Sequence, residues 1–228
     1  MRGGSKGIKN KNLLKIFGRD LMFYTINCAT KSKIFKKIVV TSDCKKILNV
    51  AKKYNLDNYI LRSKKLANDK ISKHQSIIDA VKKTEKKFNM KFDYIFDLDV
   101  SAPLREPYDI VKAYKKILLE KKKNLITVVK SRRNPYFNMI EKKNSNLVLC
   151  KKSSIAITSR QQAPQVFDMN SSIYIWKRNY LFQQKKTIGK NTSIYLMKPR
   201  TSFDIDNYLD LEVVKIFLKK NKSKTFKY

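Results

Sequence analysis

Long apolar runs are missing from this chain. None approaches the ~20 residues that span a bilayer, and no charged, apolar, small-residue leader is visible, so the sequence predicts a soluble, cytoplasmic protein without a membrane partner. Cysteine is scarce and unpaired. Cys28, Cys44 and Cys150 are odd in number and widely spaced, which excludes a disulfide framework and the close pairs of a zinc site and predicts reduced thiols in or near the core. Carboxylates are few, 18 against 52 basic residues, so any aligned acidic pair carries weight. Arginine is scarce among the bases, at nine of the 52.

That last scarcity bears on the formal net charge of +34. Such a charge favours nucleic acid through counterion release, but a dedicated surface more often concentrates arginine and interleaves aromatics. Here lysine is spread through almost every segment, as in Lys82-Lys83 with Lys86-Lys87, and reads as a solvated coat that attracts anionic substrates. No specific nucleic-acid partner is expected. A basic nucleic-acid-binding protein stays open as a different class of reading, separable by a salt titration.

What is present suffices for a core. A chain of 228 residues with 42% hydrophobic and 11% aromatic content reads as one folded domain, residues 1–228. Helix is expected from Asp20 to Thr30, Lys45 to Tyr54, His74 to Phe88, Glu106 to Lys121 and Asn207 to Leu218. Strands are expected at 37–43, 59–61, 94–99, 125–129 and 172–176. The alternation indicates an α/β fold with a mostly parallel sheet, whose ligands bind beyond the carboxyl ends of the strands. From about 130 to 167 helical periodicity disappears. Met139-Ile140 and Leu147-Val148-Leu149 would pair as a hairpin across Asn144 to Asn146, and an exposed hairpin needs a partner, which predicts a homodimerisation arm.

Two features carry chemistry. Arg2-Gly3-Gly4-Ser5-Lys6-Gly7, followed by Lys11-Asn12, is a glycine-rich loop with cations, suited to closing backbone N–H groups on phosphate oxygens. Such loops normally hang from a buried apolar strand, and only Met1 precedes Arg2, so the first strand of the sheet is expected to be missing. Asp204 and Asp206 in Phe203-Asp204-Ile205-Asp206 point to one side of an extended segment and can share a hard cation such as Mg²⁺. Asp206 can equally cap the helix that follows.

These motifs, together with Val40-Thr41-Ser42-Asp43, Ser101-Ala102-Pro103-Leu104-Arg105, Arg160-Gln161-Gln162-Ala163-Pro164 and Asn170-Ser171-Ser172-Ile173-Tyr174, resemble the acylneuraminate cytidylyltransferases, in the same order and over essentially the whole chain. Asp97-Leu98-Asp99-Val100, Arg133-Asn134-Pro135-Tyr136-Phe137-Asn138 and Asp168-Met169-Asn170 look most like the enzymes that make CMP-N,N'-diacetyllegionaminate. The resemblance implies a Rossmann-like nucleotide-diphospho-sugar transferase fold with a β-rich dimerisation insertion. It implies attack of the sugar's anomeric hydroxyl on the α-phosphorus of CTP, with release of pyrophosphate, for surface glycan or flagellin glycosylation. Arg2, Ser5, Lys6 and Lys11, with Gly3 and Gly4, would hold the phosphates. Asn12, Arg62 and Ser72 would contact the nucleotide, and Asp204 and Asp206 would hold Mg²⁺. Arg160 would pair with the sugar carboxylate, with Gln162, Asn170 and Tyr174 nearby. Asp99 and Val100 stand near where the sialic-acid-activating enzymes carry Gln and Pro, so by this resemblance Asp99 would contact a different sugar substituent or help bind metal. Another CMP-nonulosonate, CMP-N-acetylneuraminate included, and an inactive truncated remnant remain alternative readings. His74, the sole histidine, reads as a surface or helix-start residue.

Overall fold

The computed structural model of the chain describes residues 1–4, 7–67, 72–183 and 186–225, the last five by backbone alone. After the glycine-rich loop, a short hairpin of β1 (Lys15–Ile16) and β2 (Arg19–Asp20) leads into α1 (Leu21–Ser32). Asp20 stands at the N-cap of α1, but its carboxylate accepts the Tyr54 hydroxyl at 2.8 Å instead of capping. Then follow β3 (Val39–Ser42), α2 (Lys45–Ala51), β4 (Asn58–Leu61), α3 (Lys73–Phe88), β5 (Tyr94–Leu98), α4 (Pro107–Leu119) and β6 (Asn124–Lys130). All lie within three residues of the ranges expected from hydrophobic period. A capping box between Glu106 and Asp109, with Pro107 in the first turn, fixes the start of α4.

The irregular stretch contains the expected hairpin, β7 (Ile140–Lys143) with β8 (Asn146–Leu149). It turns through Asn144 and Ser145 at φ 47° and 69°, the left-handed pair that a two-residue hairpin loop requires. β9 (Phe167–Lys177), α5 (Arg178–Gln183), β10 (Thr192–Leu196) and α6 (Tyr208–Thr225) complete the order.

The main sheet runs β10-β6-β9-β5, and β3-β4 forms a separate parallel pair. β10 is parallel to β6, whereas β9 runs against both β5 and β6. A parallel connection needs a crossover, usually a helix. β9 instead arrives from the hairpin arm, so the sheet is mixed at that point.

Three apolar clusters form the core. Leu21, Met22 and Ile26 of α1 pack with Val40, Ile47, Ile205, Leu211 and Val214. Ile110, Ala113 and Ile117 of α4 cover Leu125, Ile173 and Ile175. Ile77 and Val81 of α3 meet Ile95, Trp176, Tyr180 and Leu181. Between β3 and β5 the described residues contribute no strand, and an apolar cavity of about 550 Å³ lies there. No helix among the described residues is long and apolar enough to cross a membrane. The three cysteines are free; Cys28 is buried, and burial pushes its thiol up to about 12.

Candidate active site

The glycine-rich loop crosses the carboxyl end of β3 and is held there by backbone and carboxylate contacts. The Met1 nitrogen donates to Thr41 O at 2.7 Å, and Gly3 N donates to Asp43 Oδ1 at 3.0 Å. A Cβ on Gly3 would stand 2.9 Å from Cys44 Cβ, so this approach requires glycine. Asn12 Nδ2 donates to Arg2 O at 2.8 Å, and Arg2 Nη1 reaches Ala67 O at 3.3 Å. Ser5 and Lys6, the other expected phosphate ligands, lie outside the described residues. Arg62 is buried. Its Nη2 donates to Met1 O at 2.7 Å and lies 3.5 Å from Asp43 Oδ1. It thus clamps the loop to the end of β3, a role its sequence position does not reveal.

The loop is joined directly to the acidic pair. A Cβ on Gly7 would fall 1.8 Å from the backbone oxygen of Asp206, so only glycine admits this contact. Lys11 Nζ donates to Ile205 O at 2.5 Å and to Asp206 Oδ1 at 3.1 Å. Ile205 is fully buried, and its N donates to Ser101 O at 2.8 Å. Period-two alternation therefore turns Asp204 and Asp206 to the opposite side. The helix cap belongs to neither. Asn207 and Asp210 form a reciprocal capping box, Asp210 N to Asn207 Oδ1 and Asn207 N to Asp210 Oδ2, both at 3.0 Å. The Asp206 carboxylate, 74% exposed, is thereby left to Lys11 and solvent. Burial raises the Asp204 carboxyl above its ordinary value, and the neighbouring charges of Asp206 and Asp99 add to the shift.

A second acidic pair ends β5. Asp99 Oδ1 accepts from Ser101 N and Oγ at 3.0 and 2.9 Å, and Oδ2 accepts from Lys73 Nζ at 2.9 Å. The same ammonium lies 2.5 Å from Asp97 Oδ2 and 5.4 Å from the centre of the Tyr174 ring. Burial opposes the Asp99 charge, yet Lys73 and Ser101 outweigh it and hold the carboxyl well below the usual range. Lys73 escaped the sequence reading. The only available signal was its place beside Ser72, which is exposed at the N-cap position of α3 and makes no side-chain capping bond. Arg105 Nη2 donates to Asp99 O at 2.6 Å and Nε to Ser172 Oγ at 3.0 Å, fixing the turn after β5 from within.

The remaining sugar candidates scatter. Tyr174 joins the Asp99 cluster through Lys73, stacks on Trp176 with ring centres 5.5 Å apart, and pairs its hydroxyl with Ser171 at 3.2 Å. Asn170 is buried in a bulge of β9, where the register jumps between Ile126 and Val128. There its Oδ1 accepts the Thr127 hydroxyl at 2.7 Å and its Nδ2 points to Met197 Sδ. Arg160 and Gln162 lie exposed on the loop after β8; Gln162 Oε1 accepts from Thr158 N and Oγ1, both at 3.0 Å. No contact among the described residues joins either to the Asp99 cluster. His74, at the start of α3 as expected, pairs its Nε2 with Leu181 O at 2.6 Å and pins α3 to α5.

Oxygen donors dominate the mouth of the site, and no group of three or more His, Cys, Asp or Glu suited to a metal occurs among the described residues. An ammonium already rests on Asp206. That donor set suits a hard divalent cation shared between two carboxylates and substrate phosphates rather than an all-protein cage.

A family model described as cytidylyltransferase matches residues 1–223. The chain is 43% identical over 218 residues to post-translational flagellin modification protein B of Campylobacter coli, covering 96% of this chain and 92% of that one. It is 44% identical over 217 residues to the CMP-N,N'-diacetyllegionaminic acid synthase of Campylobacter jejuni, covering 95% and 92%. In fold it is similar to a CMP:2-keto-3-deoxy-manno-octonic acid synthetase solved with CTP, at TM-score 0.69 and 14% identity over 97% of this chain and 96% of that one.

Proposed function

Because this chain belongs to the cytidylyltransferase family, we propose that it transfers cytidylate from CTP to the anomeric hydroxyl of a nonulosonic acid, N,N'-diacetyllegionaminate, with release of pyrophosphate. The sugar assignment is supported by 44% identity to a CMP-N,N'-diacetyllegionaminic acid synthase along nearly the whole chain. The observation that carries the reaction is the junction of the glycine-rich loop with Asp204-Ile205-Asp206 through Gly7 and Lys11. Lys11 thus meets the Asp206 carboxylate, and Gly7 brings the main chains of the two segments together. Cytidylyl transfer asks the protein mainly to neutralise charge and hold the two reactants in line.

In this reading Arg2, Lys11 and the loop amides bind the phosphates, Asn12 and Arg62 keep the loop in shape, and Asp99 with Lys73 and Tyr174 lines the sugar end. Asp204 and Asp206 would hold Mg²⁺, which neutralises phosphate charge and lowers the pKa of the attacking hydroxyl. Arg160 reaches the sugar carboxylate only if its loop closes over the site. The apolar side chains exposed on the arm, Ile140 and Leu147 among them, support a homodimer. We place the enzyme in the cytoplasm, supplying activated sugar for flagellin or surface glycans, as the name of the C. coli relative suggests.

Pyrophosphate release measured with CTP and a panel of nonulosonic acids tests this. Highest kcat/KM is expected with N,N'-diacetyllegionaminate. Equal or better use of N-acetylneuraminate overturns the sugar assignment, and no release with any acid overturns the reaction.

A further inference from the structure

We infer that the rim of the main sheet opposite the candidate active site is a docking surface for an anionic lipid bilayer. β5, β6 and β10 run in one direction, so their amino ends share a rim, while Asp99 lies beyond the carboxyl end of β5. Main-chain hydrogen bonds make that rim continuous. Arg178 N donates to Asp93 O at 2.8 Å, Lys177 N to Lys123 O at 2.8 Å, and Lys123 N to Asn191 O at 3.1 Å. The segments that lead into the three strands, and the end of β9, are thereby tied into one edge.

Charge along this edge is almost entirely of one sign. Lys86, Lys91, Lys121, Lys123, Lys186 and Lys190 are exposed on it. Glu85 holds Arg178 through both oxygens at 2.7 and 2.8 Å, and Glu120 pairs with Lys116 at 2.6 Å and with the Ser193 hydroxyl. Exposed Asp93 is the exception. At the end of α3, Lys82, Lys86 and Lys91 line a recess of about 470 Å³, where the neighbouring Glu85 is the carboxylate already held by Arg178. Such a basic recess suits a phosphate headgroup.

Apolar tips project from the same edge. Leu119, the last residue of α4, is 83% exposed and Ile188 59%. Thr187 O accepts from Asn124 Nδ2 at 2.7 Å, which sets the Ile188 loop against the turn that follows α4. Aliphatic side chains among ammonium groups match the boundary of headgroups and acyl chains, where attraction to anionic lipid and burial of the tip act together. Nucleic acid fits less well, because Arg178 is engaged by Glu85 and by the Phe182 ring at 4.5 Å, which leaves neither that guanidinium nor that ring for a base. Like charge disfavours a second copy of the chain. No described helix is long and apolar enough to span a membrane, so the contact is with the bilayer surface, and it leaves the mouth of the site open to soluble substrates.

Co-sedimentation of the full chain with vesicles tests this. Binding is expected to phosphatidylcholine vesicles containing about one third phosphatidylglycerol and not to pure phosphatidylcholine, and should fall at least tenfold as salt rises from about 0.1 to about 0.5 M. Leu119→Ser with Ile188→Ser, and separately Lys121→Glu with Lys123→Glu, should each weaken binding by about tenfold or more with the melting temperature nearly unchanged. Lys45→Glu with Lys46→Glu makes the same charge change on α2 and should weaken it by no more than about threefold. Equal loss from the two charge reversals assigns the binding to the lysine coat as a whole and overturns the inference. So do equal binding to neutral vesicles, no binding at all, and full binding by the Leu119/Ile188 double variant. Tighter binding of polyuridylate than of vesicles, lost with the same rim lysines, names RNA as the partner instead. Pyrophosphate release is not among these readouts, so a failure of docking and a failure of the proposed reaction are told apart.

Discussion

Asp206 owes its free carboxylate to its neighbour, because Asn207 and Asp210 cap α6 between them. Asp204→Asn and Asp206→Asn should each lower kcat by about 100-fold or more with the melting temperature nearly unchanged, read by pyrophosphate release across a Mg²⁺ titration. Unaltered turnover at saturating substrates would remove the metal role. Lys73 sets a different expectation. With its folded pKa held low, Asp99 adds stability that is fully present above the ordinary carboxylate pKa and is lost as pH falls through the folded value. Lys73→Met raises that folded value, so acid unfolding should begin at higher pH than in the parent, followed by the fluorescence of Trp176, the sole tryptophan. At this scale the order of motifs was enough to expect the acidic pair beside the glycine-rich loop, and Lys11 does meet Asp206. The sequence was not legible for Arg62, which turns inward to Met1 and Asp43, or for Lys73, because side-chain direction depends on packing that a linear pattern does not encode.

Helices and strands were legible wherever one periodicity ran uninterrupted: α3, α4 and β6 fall almost where apolar spacing puts them. The bulge in β9 was not. Asn170 there makes three polar contacts inside the sheet, which only tertiary packing creates. The glycine-rich loop offers a sharper comparison. Gly7→Ala places a methyl 1.8 Å from Asp206 O and should lower both melting temperature and kcat, the latter at least tenfold, whereas a Cβ on Gly4 meets nothing within 4 Å. Gly4→Ala should therefore leave the melting temperature within about 1 °C. Thermal melts of the two variants decide it, and equal melting would show that the loop yields freely.

For the molecule as a whole, strand and helix alternation was enough to indicate the α/β class. The reversal of β9 was hidden, since direction depends on how the preceding segment returns to the sheet. Ile140, Leu147 and Leu149 are exposed on the arm by 62%, 70% and 41%, well beyond what a solvated hairpin needs. Ile140→Ser with Leu147→Ser is expected to shift sedimentation from dimer to monomer; a parent that already sediments as a monomer contradicts the arm's role.

The contact of Gly7 with the Asp206 carbonyl has a mechanical consequence. Two segments almost 200 positions apart in the chain touch main chain to main chain, with Lys11 bolted across them, so they travel as one rigid body. In the proposed reaction, closure over substrate is expected of the exposed loop that carries Arg160 and Gln162. Spin labels near residues 10 and 208 should keep a constant separation when CTP and sugar are added, while a label near residue 160 moves.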